Sequence, residues 1–177
     1  MKILNYGSLN IDYTYSVDHF VRGGETMSSE EMHVFSGGKG LNQSIALSKS
    51  GAEVWHAGAI GTGDGDFLIR QLKEAGVNTE YISVLDGKTG HAIIQKAKDG
   101  GNCILLFGGA TSRLPGKCGW VMDHFEKGDT WYCRMKSARL AISWREPAKK
   151  AWCLYSTLLP WTIKSVPIPW NMWIISC

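Results

Sequence analysis

Two hydrophobic rhythms alternate along the first 110 residues of this chain of 177. Lys2 to Tyr6 is a short apolar run ending at Gly7-Ser8, the pattern of a buried strand and a turn. Asp12 to Asp18 alternates aromatic or β-branched residues with small polar ones, as a half-buried strand does. Gly23-Gly24 turns the chain, and Ser28 to Phe35 reads as a second such strand, weakened by Glu30 and Glu31. The period then changes. Leu41 to Lys49 sets Leu41, Ile45, Ala46 and Leu47 on one helical face, with Gly51 as its stop. Val54 to Ala59 is a strand, and Asp66 to Glu74 a helix with Phe67, Leu68 and Leu72 inward and Gly76 as its stop. Tyr81 to Leu85, Thr89 to Ala97 and Asn102 to Phe107 are strands, and Asp99-Gly100-Gly101-Asn102 is a hairpin turn between the last two. The sum is an α/β fold with antiparallel pieces attached.

Composition breaks that picture after Ala110. The first 110 residues hold 18 of the 21 Gly, none of the five Pro, and 12 acidic against nine basic groups. The last 67 hold seven of the eight Trp, all five Pro, and ten basic groups against four acidic. The pI near 8.6 therefore describes neither part. Basic residues in the second part stand singly among Trp and Pro, without a stripe, so no nucleic-acid partner is expected. No run of about 18 apolar residues occurs, which excludes a membrane-spanning helix. The opening M-K-I-L-N-Y-G-S reaches Asn5 before any long apolar stretch, unlike a signal peptide, so a cytoplasmic location is expected. The five Cys (103, 118, 133, 153, 177) form no C-x-x-C pair and no zinc spacing, and read as reduced thiols. The length suits one domain, or part of a larger one.

Candidate chemistry concentrates in two places. Ser36-Gly37-Gly38-Lys39-Gly40 opens a helix, so its backbone N–H groups favour an anion or hydroxyl oxygens, and Lys39 adds donors. It is not a Walker A loop, because Lys39 is followed by Gly40; a plain strand-to-helix turn would use the same glycines. Asn10 and Asp12 lie just past the first strand, where open α/β sheets place ligands. Alternation puts both on one face, and an amide beside a carboxylate suits a polyol, although an Asx turn or cap uses the same residues. Gly61-Thr62-Gly63-Asp64-Gly65-Asp66 has the look of a phosphate loop, but two carboxylates repel phosphate. It reads as a turn that caps the following helix. The five His (19, 33, 56, 91, 124) form no motif and read as surface or satisfied residues.

These residues carry a resemblance. G-S-L-N-I-D at 7–12, G-G-E-T at 23–26 and G-G-K-G-L-N-Q-S-I-A at 37–46 resemble the ribokinase family, the PfkB-type carbohydrate kinases. G-A-I-G-T-G-D at 58–64, L-K-E-A-G-V at 72–77, T-G-H-A-I-I at 89–94 and G-G-A at 108–110 follow in the family's order. The resemblance implies a ribokinase-like α/β fold, present as the N-terminal portion of the central sheet with a small β lid. It implies phosphorylation of a sugar by ATP with Mg²⁺, ribose being the first candidate. Asn10, Asp12, Gly38, Lys39 and Asn42 match its sugar-binding positions. Segments near 13–18, 28–35 and 89–97 match the lid, which covers the sugar and often forms a homodimer interface. Closing off water would keep ATP hydrolysis from competing with transfer.

The departures are as informative. The family's D-T-x-G-A-G-D string, which supplies the general-base Asp and an anion hole, does not occur in this sequence, and neither do its N-E and N-P-A-P motifs. Residues 111–129 are partly family-like: V-M-D-H-F-E-K-G-D at 121–129 resembles the helix and turn expected there. Residues 130–177 read as a non-native Trp/Pro-rich tail with no sustained helix or strand period. Read one frame over, codons for Thr130–Ala138 permit L-V-L-Q-N-E-I-S, and codons for Leu154–Trp161 permit V-F-N-P-x-x-M, the missing motifs in order. The expectation is a frameshifted tail, a lost catalytic half and no kinase activity. What would remain is a chain that at most binds sugar or dimerises through the lid.

Overall fold

The computed structural model describes residues 2–113, 121, 124–126, 129–134 and 153–156. In chain order the elements are β1 (Lys2–Gly7), β2 (Asn10–Val17), β3 (Glu31–Gly37), α1 (Lys39–Lys49), β4 (Glu53–Gly61), α2 (Asp66–Glu74), β5 (Asn78–Leu85), β6 (Gly90–Ala97) and β7 (Asn102–Phe107). A 3-10 turn (Ala110–Arg113), β8 (Thr130–Arg134) and β9 (Cys153–Ser156) follow. Among the described residues they form two sheets. A parallel body runs β5-β4-β1-β8-β9, and a smaller lid runs β3-β2-β6-β7. In the lid, β2 pairs antiparallel with β3 and parallel with β6, and β7 returns antiparallel on β6.

The body is where the apolar pattern closes on itself. Leu68 and Leu72, four apart on α2, and Leu41 on α1 are fully buried against Ile3, Val54, Ile60 and Val77. Both helices end as their glycines predict. Gly51 (φ +92°) and Gly76 (φ +79°) take the left-handed conformation. Ala52 then donates to Leu47 O (3.2 Å) and Val77 to Leu72 O (3.0 Å), a six-to-one closure at each end. Val121 and Phe125 are also buried, and the Phe125 ring meets the Trp55 ring of β4 edge-on at 5.8 Å. Among the described residues no helix is long and apolar enough to cross a membrane.

Three expectations need correction. Strand β3 begins at Glu31 rather than Ser28 and runs to Gly37. Its first five residues are exposed, and an edge strand in water accommodates the Glu31 charge that a buried strand would not. On α1, Ala46 is exposed, whereas Gly40 and Ser44 share the buried side with Leu41. The helix faces polar groups of β1 and β4 there, so the apolar-face pattern misplaced it. The region after Asp129 does contain strands: Thr130–Arg134 pairs with β1 and Cys153–Ser156 with β8, both parallel. A ladder is made of backbone groups, so an open edge of β1 can recruit a segment without alternation. The remainder of the expected 111–129 and 130–177 divisions lies outside the described residues.

Candidate functional site

The site is built where β1 leaves the body sheet and β2 enters the lid. Asn10 and Asp12 occupy the start of β2, two apart and on one face, both part-exposed. Opposite them stand glycines. Asn10 pairs with Gly37 on β3 and Gly90 on β6, and Asp12 pairs with Phe35 and Ala92. A side chain on Gly37 would collide with the Asp12 carboxylate, and one on Gly90 would lie 2.7 Å from Asn10 Oδ1. The glycines thus leave room for these two polar groups to lie across the sheet. Among the described residues, neither side chain has a protein hydrogen-bond partner. Burial holds the Asp12 carboxyl above its ordinary pKa.

The glycine loop meets β2 from the other side. Gly38 has φ +100°, and a side chain there would strike Ser8 O and approach Asn10 N at 3.0 Å. Two residues on, a Cβ on Gly40 would come within 2.5 Å of the Gly7 backbone. The loop therefore nests on residues 7–10 backbone to backbone, which only glycine permits. Leu41 N–H donates to Ser8 O (3.1 Å) and Asn42 N–H to Gly38 O (3.1 Å), fixing the first turn of α1. Lys39 and Asn42, three apart in that turn, are both exposed. Of the five expected positions, Gly38 lies against the Asn10 backbone, Asp12 follows Asn10 on the same face of β2, and Lys39 and Asn42 stand in the first turn of the adjoining helix.

Sequence reasoning missed the joint that holds the lid. Thr89 Oγ donates to Asp64 Oδ1 (2.5 Å), Thr89 N–H donates to the same carboxylate (3.1 Å), and Gly61 N–H donates to Thr89 Oγ (2.8 Å). Thr111 Oγ donates to Leu9 O (2.6 Å) and accepts from Gly90 N–H (3.3 Å). The 61–66 turn, Asp64 included, is expected to cap α2, but Gly65 is the N-cap residue and no side chain caps that helix. The carboxylate is spent on the root of β6 instead. The spacing G-T-G-D carries no signal for that, because Thr89 is 25 residues away. Among the histidines, His56 is buried and hydrogen-bonded and His33 is exposed, in keeping with their bland reading.

With that geometry in view, a comparison with known proteins decides the family. The model of the pfkB family of carbohydrate kinases matches residues 1–120. The chain belongs to that family. It is 38% identical over 116 residues to the ribokinase of Staphylococcus aureus (strain COL), covering 64% of this chain and 38% of that protein. It is 36% identical over 110 residues to the ribokinase of Haemophilus influenzae, covering 61% of this chain and 36% of that one. The crystal structure of ribokinase from Cryptococcus neoformans var. grubii serotype A in complex with ADP superposes with a TM-score of 0.69 at 33% identity. It covers 87% of this chain and 49% of its own. The chain thus spans half or less of the length of these relatives, consistent with the N-terminal portion of a ribokinase-like fold.

Among the described residues no three His, Cys, Asp or Glu side chains converge as ligands for the Mg²⁺ that the family implies. Asp64 is committed to Thr89, and Leu41 N–H in the first turn of α1 is committed to Ser8 O.

Proposed function

We propose that this chain is the sugar-gripping part of a carbohydrate kinase, with D-ribose as the first candidate sugar, and that as it stands it transfers no phosphoryl group. The observation that carries the reading is the unpartnered pair Asn10 and Asp12 on one face of β2, laid over Gly90 and Gly37. A half-buried carboxylate without a donor is poorly satisfied, and sugar hydroxyls are donors of the right kind. Asp12 would accept two of them, and the Asn10 amide would both donate and accept. Lys39 and Asn42 would reach the same sugar from the first turn of α1, and Gly38 would bring the backbone close enough to touch it. The ribokinase name shared by the relatives supports ribose.

The inactivity follows from what the sequence lacks, the D-T-x-G-A-G-D string with its base and anion hole. Phosphoryl transfer is mostly positioning and charge stabilisation, so losing both removes the reaction rather than slowing it modestly. The tail is proposed to be frameshifted. In support, β8 falls within the first and β9 overlaps the second of the two stretches whose alternative frame restores family motifs. Sequencing the source DNA tests this: a contiguous gene with no gained or lost base near codon 130 defeats it.

Calorimetric titration with ribose tests the grip, expected as saturable binding that Asp12→Ala abolishes; silence of the unmodified chain overturns it. A coupled assay with ATP, Mg²⁺ and ribose tests the inactivity, and turnover well above a no-protein control refutes it. A second reading, self-association through the lid, is favoured by the exposed Ile104, Leu105, Leu106 and Phe107 of β7. Sedimentation should then show dimers that Leu105→Lys dissociates; a monomer at all concentrations rejects it. Cytoplasmic residence belongs to the same proposal.

A further inference from the structure

Beneath the glycine loop lies a fully buried polar network that the sugar contacts do not use. Asn5 on β1 and His56 on β4 are register partners across the parallel ladder, and Ser44 comes down between them from α1; all three are 0% exposed. The Asn5 amide donates to Gly40 O (2.9 Å) and to Ser44 Oγ (2.8 Å). Ser44 Oγ lies 2.7 Å from His56 Nδ1, and His56 Nε2 lies 3.3 Å from Gly7 O. The directions are forced. A carbonyl only accepts, so Nε2 carries the proton. Burial pushes the His56 pKa down to about 4, so the ring is neutral and Nδ1 accepts from the Ser44 hydroxyl.

The network ends on two carbonyls, Gly7 and Gly40, and these are the residues whose backbones cross with no space for a Cβ: one on Gly7 would lie 2.5 Å from Gly40 Cα. From Gly7 the chain runs on to Asn10 and Asp12, and Gly40 lies between Lys39 and Asn42. Three polar side chains in a fully buried layer are unfavourable unless hydrogen-bonded, and an apolar trio would fill the same space at less risk. We propose that Asn5, Ser44 and His56 are positioning residues: they lock the crossing of Gly7 and Gly40, and through it set the distance between the β2 carboxylate and the α1 donors that grip the sugar. This rests on the sugar-binding reading above and adds the groups that pre-arrange it without touching the ligand.

The test compares Ser44→Ala with Ser48→Ala in the full chain. Ser48 is in the same helix but donates to Ala75 O (2.7 Å), away from the crossing. Ser44→Ala is expected to weaken ribose binding about ten-fold and to shift the amide resonances of Gly38, Lys39 and Asn42, while Ser48→Ala does neither. Unmoved loop amides in Ser44→Ala, or equal movement in both variants, overturn the proposal. If the unmodified chain binds no ribose, the functional reading falls, and the amide comparison still decides the positioning role. If Ser44→Ala does not fold, the ¹⁵N shifts of His56 in the unmodified protein decide: a bare Nδ1 with protonated Nε2 supports the network, and the opposite tautomer rules it out.

Discussion

Strands β1 (KILNYG) and β7 (NCILLF) are each six residues long, and β7 is the more apolar, yet five β1 residues are buried and all six of β7 are exposed. The difference lies in their neighbours. β1 sits between β4 and β8 in a parallel sheet on which α1 packs, whereas β7 is the outer strand of a four-stranded lid. Apolar content makes a strand eligible for burial, and topology decides whether it is buried. The body supplies its own core. The lid depends on its joint through Thr89 and Thr111 and presents an apolar edge.

The largest test of this contrast is truncation of matched leucines. Leu72→Ala should destabilise the body by about 2–5 kcal/mol in urea melts, and Leu105→Ala should change stability by less than about 0.5 kcal/mol. Equal losses would erase the distinction. Acid should act on the body next. The folded pKa of His56, about 4, lies below its ordinary value, so the stability it contributes is present above pH 6.5 and lost as pH falls toward 4. A loss of about 2 kcal/mol between pH 8 and pH 5 is expected from that linkage. His56→Gln should remove this component of the pH dependence; an unchanged slope counts against it.

Asp12 sharpens the comparison from the lid side, with the opposite sign. Its folded pKa is raised by burial, so its contribution to stability is greatest at low pH and is lost as pH rises through that value. Asp12→Asn should therefore melt higher at pH 7 than the parent while binding ribose at least about ten-fold more weakly. A variant that loses both stability and binding would make Asp12 a structural residue. At that joint, Thr111→Val removes the bonds to Leu9 O and Gly90 N–H. Amide exchange in β6 and β7 should quicken by at least about five-fold, the worth of a single net hydrogen bond, with β1 and β4 unchanged. Lastly, Lys98→Ala breaks exposed ion pairs with Asp18 and Glu30 and should leave the melting temperature where it is.

Much of the fold was legible in the residues. The Asp66–Glu74 and Asn102–Phe107 boundaries match the expectation, and Gly51, Gly76 and Gly100 fall where stops and a turn need positive φ. Local chemistry specifies such features, because a left-handed residue or an i, i+4 leucine pair needs no distant partner. The placement of Asn10 and Asp12 on one face was equally legible from strand alternation. What went unread depends on residues far apart in sequence: Asp64 holding Thr89, Thr111 holding Leu9 O, and Asn5 joined through Ser44 to His56. The same limit explains the strand at Thr130–Arg134, recruited by the edge of β1 rather than by any pattern of its own.

The sequence by itself determined the element types of the first 110 residues, the family and the candidate sugar contacts, because these are written in short-range spacing and ordered motifs. Only the tertiary structure decided which apolar strand is buried, what Asp64 does, and how a neutral histidine comes to lie under the glycine loop. Each of those depends on groups brought within hydrogen-bond reach across the fold, and the energy of such a contact exists only once the chain has closed.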